Sequence, residues 1–300
     1  MMAAMLLLTG QAQRAQAIER RLSEIHAARA EDHKLNSKLM ARQMPYRVFL
    51  PASYAADKQA HFPVIYLLHG LTGNYDDWGS RTKVAEYAAP YDAIVVMPEG
   101  ANGWYTDSQA QPHELYETYI IRELIPEVDK KFRTLADRKN RFMAGLSMGG
   151  YGSIKFGLKY PEMFALVGSF SGALGAASWS DESLGNSGVI ATSIMNVYGA
   201  KDSPTRRDND IFKIAREISP DKINGLPFIY LDCGTEDFLI QNNREFSALL
   251  IEKKIPHEFR QLPGGHTWNY WDRQVQEFLR LAERFLPRSK AKTARLTSNK

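Results

Sequence analysis

The chain has one cysteine in 300 residues, Cys233. A single thiol excludes an intrachain disulfide and any zinc or iron–sulfur site built on cysteine ligands. Long apolar runs are missing too, and nothing in the sequence reaches the roughly 18 consecutive apolar residues that a membrane span needs. There is no internal repeat, which removes solenoids and propellers. An excess of charge over the body of the chain is also lacking. The formal net charge is +4, but the last thirteen residues carry Arg288, Lys290, Lys292, Arg295 and Lys300 without one acid. The basic balance therefore belongs to the tail and does not argue for a nucleic-acid partner.

What remains is an ordinary globular composition, 44% hydrophobic and 24% charged, enough for a large core in one α/β domain. Residues 1–34 read as a leader with a helix-prone stretch, Gln11–Ala30. The apolar patch Met1–Leu8 and the small-residue run Ala15-Gln16-Ala17 resemble a partial signal peptide. The patch is short and no Lys or Arg precedes it, so the signal is incomplete. The reading leans to a secreted or periplasmic protein, with a cytoplasmic one as the alternative. Residues 35–287 form the expected domain, and 288–300 a disordered basic tail.

Within the domain, apolar strands alternate with helical patterns. Lys34–Met40 and Pro45–Leu50 are expected to form a hairpin. Phe62–Leu68 and Ala93–Met97 are unbroken apolar runs, as in strands covered on both faces. Tyr116–Phe132 has helical spacing with a kink expected at Pro126. Arg141–Leu146, Phe164–Phe170, Pro227–Cys233 and Glu258–Leu262 read as further strands, and Asn243–Lys254 and Tyr270–Leu286 as helices. This rhythm predicts a single domain with a central, mostly parallel sheet and helices on both faces. Gly172–Arg207 lacks clear periodicity and reads as a lid or pocket-forming insertion.

The run Gly145-Leu146-Ser147-Met148-Gly149 lies between a strand and a helix. G-x-S-x-G in that context is a nucleophile elbow, a cramped turn that lifts the serine hydroxyl to the sheet edge. A serine hydroxyl needs a base, and the base needs an orienting acid. In open α/β sheets such groups gather beyond the carboxyl ends of the strands. His266, in the loop Pro263-Gly264-Gly265-His266 after the last strand, is the candidate base. The turn Gly234-Thr235-Glu236-Asp237-Phe238 offers Asp237 as the acid, preferred to Glu236 because it precedes an apolar run, and to Asp232 because that lies within a strand. The order Ser147, Asp237, His266 is the one expected of α/β-hydrolases. Two N–H groups should receive the developing oxyanion, those of Met148 and of Leu71 in His69-Gly70-Leu71-Thr72-Gly73. His69 reads as a brace for that loop.

With these motifs in place, the chain resembles the esterase D-like or "putative esterase" family of α/β-hydrolases. That group includes S-formylglutathione hydrolases, feruloyl and acetylxylan esterases, tributyrin-type esterases and mycolyltransferases. The resemblance runs from about Ser37 to Leu286. It rests on Pro45–Pro51, the His69–Gly73 loop, Asn102-Gly103-Trp104-Tyr105, the serine elbow, Cys233–Asp237 and Gly265-His266-Thr267-Trp268. It implies the same three catalytic residues, the same two oxyanion donors and no metal or cofactor. It also implies a small-molecule or carbohydrate-linked ester as substrate, with short-chain or aryl esters favoured. Trp104 and Tyr105 are expected to bind substrate as an aromatic wall. The glutathione-linked thioesterases usually carry cysteine where this chain has Gly73, which moves the expectation towards simple carboxylic esters. An S-formylglutathione-type thioesterase and an acyltransferase using the same triad are the alternatives. A homo-oligomer is compatible with the sequence, which does not encode a readable oligomeric state.

Overall fold

Eight strands hydrogen-bond side by side in the order β1-β2-β4-β3-β5-β6-β7-β8. This is a computed structural model, and it describes residues 29–179 and 188–285. The signal-peptide and tail expectations fall outside those residues. β1 (Arg29–Ser37) and β2 (Arg42–Leu50) form the antiparallel hairpin, and β2 continues antiparallel onto β4 (Ile94–Pro98). From there on every pairing is parallel, through β3 (Val64–Leu68), β5 (Arg141–Leu146), β6 (Leu166–Phe170), β7 (Phe228–Gly234) and β8 (His257–Leu262).

The apolar runs are explained by what covers them. In β3, Val64, Tyr66 and Leu68 join one core cluster while Ile65 and Leu67 join another. The first cluster takes in the helix Met148–Lys159 and the helix Ile240–Glu252. The second takes in Val84–Ala88 and the long final helix Trp268–Ala282. A strand with apolar neighbours above and below has no polar face to alternate, which is why it reads as continuous. Each fully buried Leu or Ile in it contributes about 1.5–3 kcal/mol.

Three expectations change. β1 begins at Arg29, so the last residues assigned to the leader already pair with β2, Arg29 opposite Leu50. Their polar alternation hid them, because β1 is an edge strand with one wet face. Pro126 does not kink a plain helix. The stretch Ile120–Leu124 is a π-helical turn, and α-helix resumes over Ile125–Lys131. Proline has no N–H to donate, and a turn with one extra residue before it absorbs the missing rung. Gly172–Arg207 is in part helical, with Gly188–Tyr198 as its main described element.

Candidate active site

The elbow is a strained turn at the end of the central strand β5. Ser147 has φ 53° and ψ −114°, a backbone region that side chains other than glycine avoid. It is held there by its own backbone. Its N–H donates to Phe170 O at 2.9 Å, and its carbonyl accepts the N–H of Ala173 at 3.0 Å. The motif glycines exist because the chain doubles back on itself. A Cβ on Gly149 would lie 2.5 Å from Leu68 O, and one on Gly145 would lie 2.5 Å from the Gly149 carbonyl.

Ser147 Oγ lies 3.0 Å from His266 Nε2, and His266 Nδ1 lies 2.9 Å from Asp237 Oδ2. An ionised carboxylate only accepts, so the imidazole proton sits on Nδ1 and Nε2 is free to accept from the serine hydroxyl. Asp237 is buried to its tip, with its side chain 0% exposed. Burial raises its pKa, but the hydrogen bonds from His266 and from the N–H of Leu239 outweigh this and hold it below the usual carboxylate range. Asp232, five residues earlier, has the opposite fate. Its carboxyl is buried within the sheet beside Tyr230 and Tyr270, and burial pushes its pKa well up. The His266 Nδ1–H meets Asp237 and not Asp232, so the strand position is excluded by geometry. The thiol of Cys233 is likewise buried and pushed up, first by burial and then by the neighbouring Asp237.

The acid turn and the histidine loop are joined. Thr235 N–H donates to Leu262 O at 2.9 Å and Glu236 N–H to Gly264 O at 3.1 Å. The exposed Glu236 carboxylate accepts the Gly264 N–H in return. This crossing is so close that a Cβ on Gly234 would overlap the Gly264 carbonyl, at 1.9 Å. Glu236 is therefore a clamp between the two loops.

The candidate oxyanion donors are both unspent. The N–H of Met148, first in its helix, has no acceptor among the described residues, and neither has that of Leu71. Gly70 packs against the nucleophile, with the direction of its missing Cβ pointing to Ser147 Cβ at 3.5 Å. His69, fully buried, fixes this loop. Its Nε2 accepts the Gly100 N–H at 2.9 Å, so Nδ1–H donates to Gly70 O at 2.7 Å.

Trp104 and Tyr105 differ from the expected aromatic wall. They are 2% and 0% exposed, and both have positive φ. Trp104 Nε1–H donates to Ser193 Oγ at 2.9 Å, and Tyr105 OH donates to His69 O at 3.1 Å. Both rings are used in packing behind the oxyanion loop and present no free face. The strained turn they sit on is pinned by Lys155, whose ammonium donates to Tyr105 O, Thr106 Oγ1 and Glu117 Oε2, each at 2.7 Å.

The aromatic rings that meet the His266 imidazole are Phe238 and Trp271. Their centroids each lie 4.9 Å from that of His266. Phe238 is 71% exposed, so it does not anchor the acid turn inward. Leu239, 5% exposed, does that. A lone Phe beside an acid carries no sequence signal that separates a rim residue from a core one.

A sheet that turns from antiparallel to parallel and carries serine, carboxylate and imidazole in that chain order to one rim has the α/β-hydrolase fold. Its class is that of the serine hydrolases. Comparison with known proteins gives the family. Residues 37–281 match the family described as "Putative esterase", and the chain belongs to it as a carboxylic-ester hydrolase. An acetyl esterase of Caldicellulosiruptor saccharolyticus is 29% identical over 247 residues, spanning 80% of this chain and 92% of that one. A ferulic acid esterase structure superposes with a TM-score of 0.74 at 28% identity, over 86% of this chain and 99% of the other. An S-formylglutathione hydrolase from Staphylococcus aureus gives 0.69 at 25% identity, over 85% and 98%.

Proposed function

We propose that the protein hydrolyses short-chain or aryl carboxylic esters through an acyl-enzyme on Ser147. Ser147 Oγ attacks the ester carbonyl as His266 Nε2 takes its proton, and the carbonyl oxygen gains negative charge against the N–H groups of Leu71 and Met148. When the tetrahedral adduct collapses, the C–O bond to the alcohol breaks and His266 returns the proton to the departing oxygen. A water then repeats the sequence in the second half and frees the acid. Asp237 stabilises the imidazolium formed in each half. The observation that supports this reading is the continuous relay of 3.0 and 2.9 Å hydrogen bonds from Ser147 through His266 to Asp237.

Simple esters are favoured over S-formylglutathione at position 73. A side chain on Gly73 would lie 2.4 Å from Asp77 Oδ2 and 3.0 Å from Gly70 O, so a cysteine there would require the Asp77 carboxylate to move. The names of the acetyl and ferulic acid esterase relatives agree with that preference.

Replacing Ser147 by Ala should abolish turnover of p-nitrophenyl acetate while leaving the circular-dichroism spectrum unchanged. Retained turnover would remove Ser147 from the reaction. A panel of acetyl, butyryl and feruloyl esters beside S-formylglutathione sets the acyl preference.

A further inference from the structure

The two candidate oxyanion donors sit on different elements. Leu71 is in the loop after β3, and Met148 opens the helix Met148–Lys159. The ladder between β3 and β5 ends at Leu68 and Gly145, short of both donors. Gly149 limits how near the helix can come to the loop, because its backbone already abuts Leu68 O and His69 O. What keeps the loop from drifting away is a separate matter.

The aim of the Leu71 N–H follows from the carbonyl of the same peptide. A peptide is planar, with its N–H and C=O pointing opposite ways, so whatever holds Gly70 O directs Leu71 N–H. Gly70 O accepts from His69 Nδ1–H at 2.7 Å and from Gly73 N–H at 3.1 Å. The donor therefore points where the position of His69 sends it.

Tyr105 ties His69 to the helix. Its hydroxyl donates to His69 O at 3.1 Å, and its ring meets the imidazole edge-on with centroids 5.9 Å apart. The same ring rests on Gly152, where a Cβ would come within 2.7 Å of Tyr105 Cδ2. Three residues along, on the same helix face, Lys155 Nζ donates to Tyr105 O at 2.7 Å. Tyr105 thus spans from the helix of one oxyanion donor to the loop of the other. Lys155 itself cannot reach substrate. It is 0% exposed, and its three N–H donors are spent on Tyr105 O, Thr106 Oγ1 and Glu117 Oε2.

We infer that Tyr105, seated by Lys155, is a positioning residue that sets the gap between the Leu71 and Met148 N–H groups. The inference rests on the ester-hydrolase reading of Ser147 for its kinetic consequence, though not for the loop geometry. Oxyanion donors act on the transition state more than on bound ester, so a misplaced donor lowers kcat and spares KM.

The test uses the full chain and two single-oxygen deletions. Tyr105→Phe keeps the ring against Gly100 and Gly152 and removes only the bond to His69 O. Tyr151→Phe is the control. It also loses one buried phenol bond from the same helix, but that bond goes to Asn209 O at 2.7 Å and not to the oxyanion loop. On p-nitrophenyl acetate, kcat of Tyr105→Phe should fall about tenfold with KM held within about twofold, a smaller loss than deleting a donor outright. A trifluoromethyl ketone, whose adduct with Ser147 would place an oxyanion between the donors, should bind that variant more weakly by the same factor. The control should keep both values within about twofold of the parent. Hydrogen exchange over residues 70–73 should quicken in Tyr105→Phe alone. Equal losses in the two variants, an unchanged kcat in Tyr105→Phe, or a fall in kcat with ketone affinity intact overturns the role. A parent chain inactive on the ester would instead overturn the hydrolase reading. Exchange at residues 70–73, faster or unchanged in Tyr105→Phe, would then decide the positioning by itself.

Discussion

Two aspartates five residues apart have their pKa values pushed in opposite directions by their surroundings. Asp237 ends in a turn where two N–H groups meet its oxygens, and it stays ionised despite burial. Asp232 faces phenols within the sheet, and burial pushes its pKa well up. Their amide variants should therefore behave differently at neutral pH. Asp237→Asn keeps the shape but loses the charge, and kcat on p-nitrophenyl acetate should fall about 10³–10⁴-fold. Asp232→Asn changes a side chain that makes no hydrogen bond to His266, and kcat should stay within a few-fold. Equal losses in steady-state kinetics would contradict the electrostatic distinction. The place of Asp237 after a strand and before the histidine loop pointed to a pairing with His266, and the two lie within hydrogen-bond distance. Its stated reason, an apolar run after it, held for Leu239 and failed for Phe238. Trp104 and Tyr105 were legible as an aromatic pair and misread in role, since nothing in a sequence tells a ring lining a pocket from one backing it.

At the scale of elements, the elbow is a crossing of two backbones more than a preference for small residues. Alanine at position 149 would gain helix propensity of about 1 kcal/mol over glycine. That gain is outweighed, because the added methyl meets backbone oxygens of Leu68 and His69 at 2.5 and 2.6 Å, and neither can swing aside. Gly149→Ala should destabilise the fold by about 1–3 kcal/mol in urea denaturation. It should also lower kcat, because relief comes only by moving the serine turn. A stability gain would refute the close-approach reading. Parallel strands and the final helix were legible because burial on both faces, or on one helical stripe, writes a strong pattern. The helix Gly188–Tyr198 was not. It buries Ala191, Ile194, Val197 and Tyr198 at helical spacing, but Val189 and Met195 on its wet side blur the stripe. The π-helical turn was hidden for another reason, since one added residue leaves the apolar spacing almost unchanged.

On the whole-molecule scale, Glu117 meets Lys155 and Lys159 in a mostly buried ion cluster. Burial alone would raise the Glu117 pKa, but the two ammonium groups outweigh it and bring it from 4.5 to about 2. Burial draws Lys155 down to about 8 in spite of Glu117, so both partners are charged at neutral pH. Between pH 4.5 and 2 the unfolded chain holds a proton on Glu117 that the folded chain does not. Stability from this group is therefore complete above pH 4.5 and falls as the pH drops towards 2, by about 3 kcal/mol in all. In Glu117→Gln that acid-dependent loss should disappear. The variant should be weaker at pH 7, where Lys155 is left buried with one partner fewer. Urea midpoints measured at pH 7, 4 and 3 for both chains read the two effects separately.

The imidazole hangs from a loop after β8, an edge strand with a neighbour on one side only, whereas the serine is rooted in β5 near the middle of the sheet. Fraying of that margin would part His266 from Ser147 before the interior yields. Ester turnover thus gauges the integrity of the rim, and a chain whose centre is fully formed can already be silent.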